Sequence, residues 1–199
     1  PSDDACTHHY NVPAQLFAVH ALRLLAELCD QVWDDADLGE RARTLAAEIS
    51  SGVAEFGLLE SGALAYEVDG LGHQLAMDDA NLPSLLSLPL CSSLRVDDPL
   101  NLRTRAEVLS VANPEFHRGR FAEGIGSPHT PAGFIWPIAL AVQGLTSTDE
   151  DEKDALVQTL LATTGGTGMM HEGFDPDDPT RFTRPWFSWA NSMACELLL

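Results

Sequence analysis

Apolar positions recur at helical spacing along much of this chain. Over residues 12–33, Leu16, Val19, His20, Ala21, Leu24, Leu28 and Val32 fall near one face, which predicts an amphipathic helix. Residues 38–56 repeat the pattern with Leu38, Ala42, Leu45, Ile49, Val53 and Phe56, and Gly57 is a suitable stop. A weaker helix is predicted over 102–112, between Asn101 and the Asn113–Pro114 break. Phe134 to Leu145 is almost wholly apolar and should be buried on most sides. Residues 148–163 are amphipathic, and Thr148 precedes an acidic first turn of Asp149, Glu150, Asp151 and Glu152, suited to the positive end of a helix dipole. A last helix is predicted over about 186–198.

Between these helices the pattern breaks down. Residues 60–76, 113–133 and 164–185 are rich in Gly, Pro, His, Asp and aromatics. Long segments of this kind in a compact domain usually carry function. Tyr66, Val68 and Leu71 fit a short strand or hairpin. The expected fold class is therefore all-α, built from sequential helix pairs, with polar loops gathered at one end. About seven helices are visible, too few for a closed toroid of helical hairpins.

The totals narrow the partners. There are 30 acidic and 11 basic side chains, a formal charge of −19, which repels phosphate backbones and anionic lipid. Nucleic acid and membrane partners are not expected, and a neutral sugar suits such a surface. No uninterrupted apolar run reaches the roughly 18 residues of a membrane span. The first residues, PSDDACTHHY, lack the basic and apolar regions of a signal peptide, which points to the cytoplasm. Cys6, Cys29, Cys91 and Cys195 form no CxxC pair, so buried free thiols are expected rather than a zinc site.

Reactive side chains concentrate in four motifs. These are Ser2-Asp3-Asp4-Ala5 with His8, His9 and Tyr10; Tyr66-Glu67-Val68-Asp69-Gly70 running on to Met77-Asp78-Asp79-Ala80-Asn81; Gly124 to Pro131 with His129, followed by Trp136-Pro137; and Thr164 to Glu172 with His171, leading to Arg184-Pro185-Trp186-Phe187-Ser188-Trp189. Glycosidic bonds are hydrolysed by two carboxyl groups, one giving a proton to the leaving oxygen. In the inverting case the other takes a proton from water across about 6.5–9.5 Å. Adjacent Asp3 and Asp4 could raise one another's proton affinity, as an acid requires, but they could equally cap the first helix. Asp78 or Asp79 could likewise cap a helix entering Leu82. Trp136, Trp186 and Trp189 could stack on a pyranose or simply fill the core. His171-Glu172 begins like a zincin motif, but Asp175 stands where a second His is needed, and no GxSxG elbow surrounds Ser127.

The segments PSDDAC, AYEVDGLGHQLAMDDANLPSLLSLP, GIGSPHTPAGFIWPIALAVQGLTS and GTGMMHEGFDPDDPTRFTRPWFSWANS resemble glycoside hydrolase family 125, in the family's order, across nearly the whole chain. The resemblance implies an (α/α)6 barrel, here a partial toroid, with residues 1–199 forming the C-terminal part of a single catalytic domain. It implies exo-acting, inverting, metal-independent hydrolysis of α-1,6-linked mannose, with no cofactor and a mannose-containing oligosaccharide as substrate. Glu172 matches the family's general base, and Asp3 or Asp4 matches the general acid. Glu67, Asp69, Asp78, Asp79, Asn81, His129, Trp136, His171, Arg184, Trp186 and Trp189 look like sugar-subsite residues. His8-His9 departs from the aromatic and Gly expected between the Cys and the following Tyr. The competing expectations are another (α/α)6 glycosidase acting on α-glucosides, and a non-catalytic carbohydrate-binding or structural remnant.

Overall fold

The structure, a computed structural model, describes residues 5–199. It opens on a two-residue strand β1 (Tyr10–Asn11) that runs directly into α1 (Val12–Leu28). Asn11 starts the helix: its Oδ1 accepts from the Ala14 amide at 3.0 Å, and Pro13 sits in the first turn where no amide partner is needed. The helix runs on as a π-helical turn (Cys29–Trp33) and stops at Asp34, which takes a left-handed φ of 52°. Asp35 then caps α2 (Ala36–Phe56) by accepting from the Leu38 amide at 3.0 Å. α1 and α2 pack against each other as a hairpin.

The centre of the core is α5 (Pro137–Leu145), where Ile138, Ala139, Leu140, Ala141 and Val142 are all buried. The all-round apolar sequence is explained by its neighbours. α6 (Glu150–Ala162) and α7 (Ser188–Leu198) pack against it, and the Gly124 backbone lies against Leu140. Two short helices, α3 (Leu88–Cys91) and α4 (Pro99–Val108), complete the helical set. Arg105 on α4 reaches Glu152 on α6 with Nη2 at 2.7 and 2.8 Å from the two carboxylate oxygens. Gln143 on α5 donates to the same carboxylate at 2.8 Å. Burial opposes ionisation there, but Gln143, Ser147 and Arg105 together hold the Glu152 carboxyl below its usual range.

The expectation of an all-α fold and a partial (α/α)6 toroid is corrected. The described residues are 46% helix and 12% strand, with three small antiparallel sheets. β1 pairs with β2 (Glu67–Val68), which pairs with β3 (Gln74–Leu75); β4 (Phe116–Arg118) pairs with β5 (Glu123–Ile125); β6 (Gly173–Asp175) pairs with β7 (Asp178–Thr183). The hairpins occupy the Gly- and Pro-rich segments between the helices. Apart from the six-residue β7, which opens with the turn pair Asp-Pro, the strands are two or three residues long, too short to show alternation, and only the β2–β3 hairpin falls where Tyr66, Val68 and Leu71 suggest one.

One further expectation changes, that of the thiols, and one helix stands out. Val12–Trp33 is one helical run of 22 residues that is long and apolar enough, by length and composition alone, to cross a membrane. Its scattered charges, Arg23, Glu27 and Asp30, interrupt the apolar run without removing its overall hydropathy. Of the four thiols, all free, only Cys29 is buried; Cys91 is half-buried, and Cys6 and Cys195 are exposed.

Candidate active site

Glu172 precedes the β6–β7 hairpin, and its backbone amide donates to the Thr183 carbonyl at 3.2 Å across the hairpin's open end. Its side chain is only 8% exposed, and Oε1 lies 3.1 Å from Nε of Arg184. Arg184 holds a left-handed φ of 45°, unusual for a residue with a side chain. Its guanidinium also lies over the Phe187 ring at 5.3 Å. A nearly enclosed carboxylate beside a cation, at the mouth of a hairpin, is placed to accept a proton from water.

The loop bearing Trp136 is stitched to this hairpin. Ile135 and Phe174 exchange backbone hydrogen bonds at 2.9 Å in both directions. Trp136 is buried and donates from Nε1 to Thr130 Oγ1 at 2.9 Å. A Cβ on Gly173 would come within 3.1 Å of the Trp136 ring, so strand and indole are in close approach. Trp136 is thus a wall of the core, with no open face for a sugar. Trp186, 63% exposed, and Trp189, 36% exposed, do present surface. Phe187 links Trp136 and Trp189 through edge-on contacts of 6.3 and 6.2 Å.

A second group surrounds a cleft of about 420 Å³ lined by Cys6, His8, Tyr66, Glu67, Asp79 and Pro128, among others. Glu67 is buried, and its Oε2 accepts from the amides of Thr7 and His8 at 2.8 and 2.9 Å. It thereby anchors the segment that follows Asp3 and Asp4, which lie outside the described residues. Asn81 donates from Nδ2 to Asp79 at 3.0 Å and to Ser127 Oγ at 3.3 Å. The Ser127 hydroxyl in turn accepts from the His129 amide at 3.2 Å. His129 meets Trp136 edge-on at 6.5 Å, so the two groups are joined through the 127–136 loop.

Other predicted site residues have different surroundings. Asp78 is wholly buried, and its oxygens accept from the amides of Leu85 and Leu86 at 2.7 and 2.9 Å. Burial pushes its carboxyl up to about 7, against the pull of those two amides. Asp69 organises the β2–β3 turn, accepting from the Leu71 and His73 amides at 2.7 and 3.0 Å. The Leu71 amide and the His73 contacts hold its carboxyl down to about 2. His171 is fully buried with both ring nitrogens on backbone carbonyls, so its side chain is committed to the protein. No motif singles out Asn191 in the sequence, although it clamps the segment ahead of Glu172. Its Oδ1 accepts from the Met170 amide at 3.1 Å and its Nδ2 donates to the Met170 carbonyl at 3.2 Å. The signal was an amide side chain in the middle of an apolar helix. No cluster of three His, Cys, Asp or Glu among the described residues could hold a metal ion.

The family profile described as metal-independent alpha-mannosidase (GH125) matches residues 1–199. The chain belongs to glycoside hydrolase family 125. It is 44% identical to the meiotically up-regulated gene 157 protein of Schizosaccharomyces pombe, covering 100% of this chain and 40% of that protein. It also superposes with a TM-score of 0.95 on a Streptococcus pneumoniae metal-independent alpha mannosidase solved as a non-productive substrate complex with alpha-1,6-mannobiose. That match is 44% identical and covers 99% of this chain and 48% of that one. The chain therefore spans less than half the length of either relative.

Proposed function

We propose that this family 125 chain carries the water-activating side of an inverting, exo-acting α-mannosidase site for terminal α-1,6-linked mannose. The observation that carries the reading is Glu172: a nearly enclosed carboxylate, ion-paired to Arg184, at the position that matches the family's base. The mannobiose bound to the pneumococcal relative supports the linkage. In this reading Glu172 accepts a proton from water as the water oxygen bonds to the anomeric carbon. The bond from that carbon to the leaving oxygen breaks on the opposite face, and Asp3 or Asp4 gives that oxygen its proton. Glu67 supports the reading from the acid's side, because its bonds to the Thr7 and His8 amides fix the chain just after the acid.

The test is proton NMR of α-1,6-mannobiose hydrolysis at early times. Inversion releases β-mannose first; α-mannose as the first anomer would overturn the two-carboxylate inverting scheme. Glu172→Gln keeps shape but not basicity and should lower turnover by at least about a hundredfold. Near-normal turnover in that variant would remove Glu172 from the role.

A further inference from the structure

His171 is fully buried, and each ring nitrogen faces a backbone carbonyl. Nε2 lies 2.9 Å from the Thr164 oxygen, and Nδ1 lies 3.1 Å from the Pro185 oxygen. Both partners are acceptors only. A neutral imidazole has one N–H and one bare lone pair, so either tautomer would set a lone pair against a carbonyl oxygen. Only a ring with a proton on each nitrogen satisfies both contacts. The ring also stacks flat on Phe182, with centroids 3.7 Å apart and planes inclined by 5°. An aromatic face is a favourable neighbour for a cation.

The two carbonyls belong to different parts of the fold. Thr164 lies just past the end of α6, and Pro185 lies between β7 and α7. His171 thus joins the two segments that flank the hairpin, one residue ahead of Glu172, while Asn191 clamps Met170 on the other side. We propose that His171, holding both ring protons, is the positioning residue of the Glu172 base rather than a sugar ligand. This inference rests on the reading of Glu172 as the base. The ring sets the direction of the 170–172 backbone, and so of the carboxylate, without touching substrate.

The test uses the 199-residue chain labelled with 15N-histidine, with ring signals assigned through contacts to the Phe182 ring. Two slowly exchanging ring N–H signals are expected for His171; a single one would overturn the proposal. His171→Phe keeps an aromatic ring against Phe182 and deletes both donors. On α-1,6-mannobiose its kcat should fall by at least about tenfold, with KM changed less than about threefold. An unchanged kcat, or a raised KM at constant kcat, would overturn the positioning role. If His171→Phe does not fold, Phe182→Leu, which keeps both donors, should retain the two N–H signals; loss of one there would count against the proposal. Normal turnover in Glu172→Gln would instead strike the base assignment, leaving the ring signals to decide the proton count alone.

Discussion

Arg184 and Glu172 form an ion pair of 3.1 Å in which the carboxylate is nearly enclosed and the guanidinium is more than half exposed. The partners are therefore unequal. Removing the cation leaves a buried charge unpaired, which costs about 1–3 kcal/mol or more. Arg184→Ala should lower both stability and turnover, the latter by at least about tenfold. Because Arg184 sits at φ 45°, Arg184→Gly should be more stable than Arg184→Ala by about 1 kcal/mol, since glycine relieves the backbone strain. Thermal melts of the two variants side by side check this; equal melting temperatures would show that no strain is stored there.

Asp78 gives a pH dependence whose sign can be worked out. Its carboxyl is raised to about 7 in the fold, above an ordinary value of 3.8. Between those values the native state holds the proton more tightly than the unfolded chain does. Its contribution is therefore fully present below about pH 4 and lost as pH rises through about 7. Asp78→Asn cannot titrate. It should be less stable than wild type, because one of the Leu85 and Leu86 amides loses its acceptor, yet show a flatter melting-temperature profile between pH 5 and 8. Parallel profiles would mean that Asp78 does not titrate in this range.

Gly126 links two parts of the site: its amide donates to the Glu115 carbonyl at 2.8 Å, and its carbonyl accepts from the Ala80 amide at 3.0 Å. A Cβ there would lie 2.1 Å from the Phe134 carbonyl oxygen, a backbone atom that cannot step aside alone. Gly126→Ala should destabilise by more than about 4 kcal/mol or fail to fold. Urea unfolding measures it, and a loss under about 1 kcal/mol would contradict the close approach.

Chelation is a fourth check. No described cluster has a metal-binding arrangement. Treatment with EDTA should leave mannobiose hydrolysis unchanged. Activity lost with EDTA and restored by Ca²⁺ would point to the Asp175–Asp178 turn instead.

Much of the helical skeleton was legible. α5 announced its central burial through an unbroken apolar stretch, and α6 its start through acidic residues, although the cap is Asp149 rather than Thr148. The β2–β3 hairpin was foreshadowed by Tyr66, Val68 and Leu71, but the other two were not legible, because β4, β5 and β6 are three residues long and β7 opens with Asp-Pro, a turn signature. The site divides the same way. Glu172 stood out through the resemblance in sequence alone, since nothing in its composition separates an enclosed carboxylate from a surface glutamate. Asp78 and Trp136 each admit two readings, a sugar contact or, respectively, a helix cap and a core filler, and His171 resembles a sugar contact, because polar or aromatic residues beside a motif look alike until burial is known. Each is enclosed and bonded to the protein's own framework.

The outer face of the α1–α2 hairpin carries a colloidal consequence. Phe17, Leu24, Leu28 and Val32 are exposed along α1 and its π turn, with Trp33 and Leu45 nearby. The same chain bears a formal charge of −19. One attribute draws copies of the 199-residue chain together at short range, while the other keeps them apart at long range. The Debye length falls from about 30 Å at 0.01 M salt to about 3 Å at 1 M. Dilute buffer should therefore keep copies dispersed, and added neutral salt should drive them to associate, the reverse of what an ion-paired dimer does.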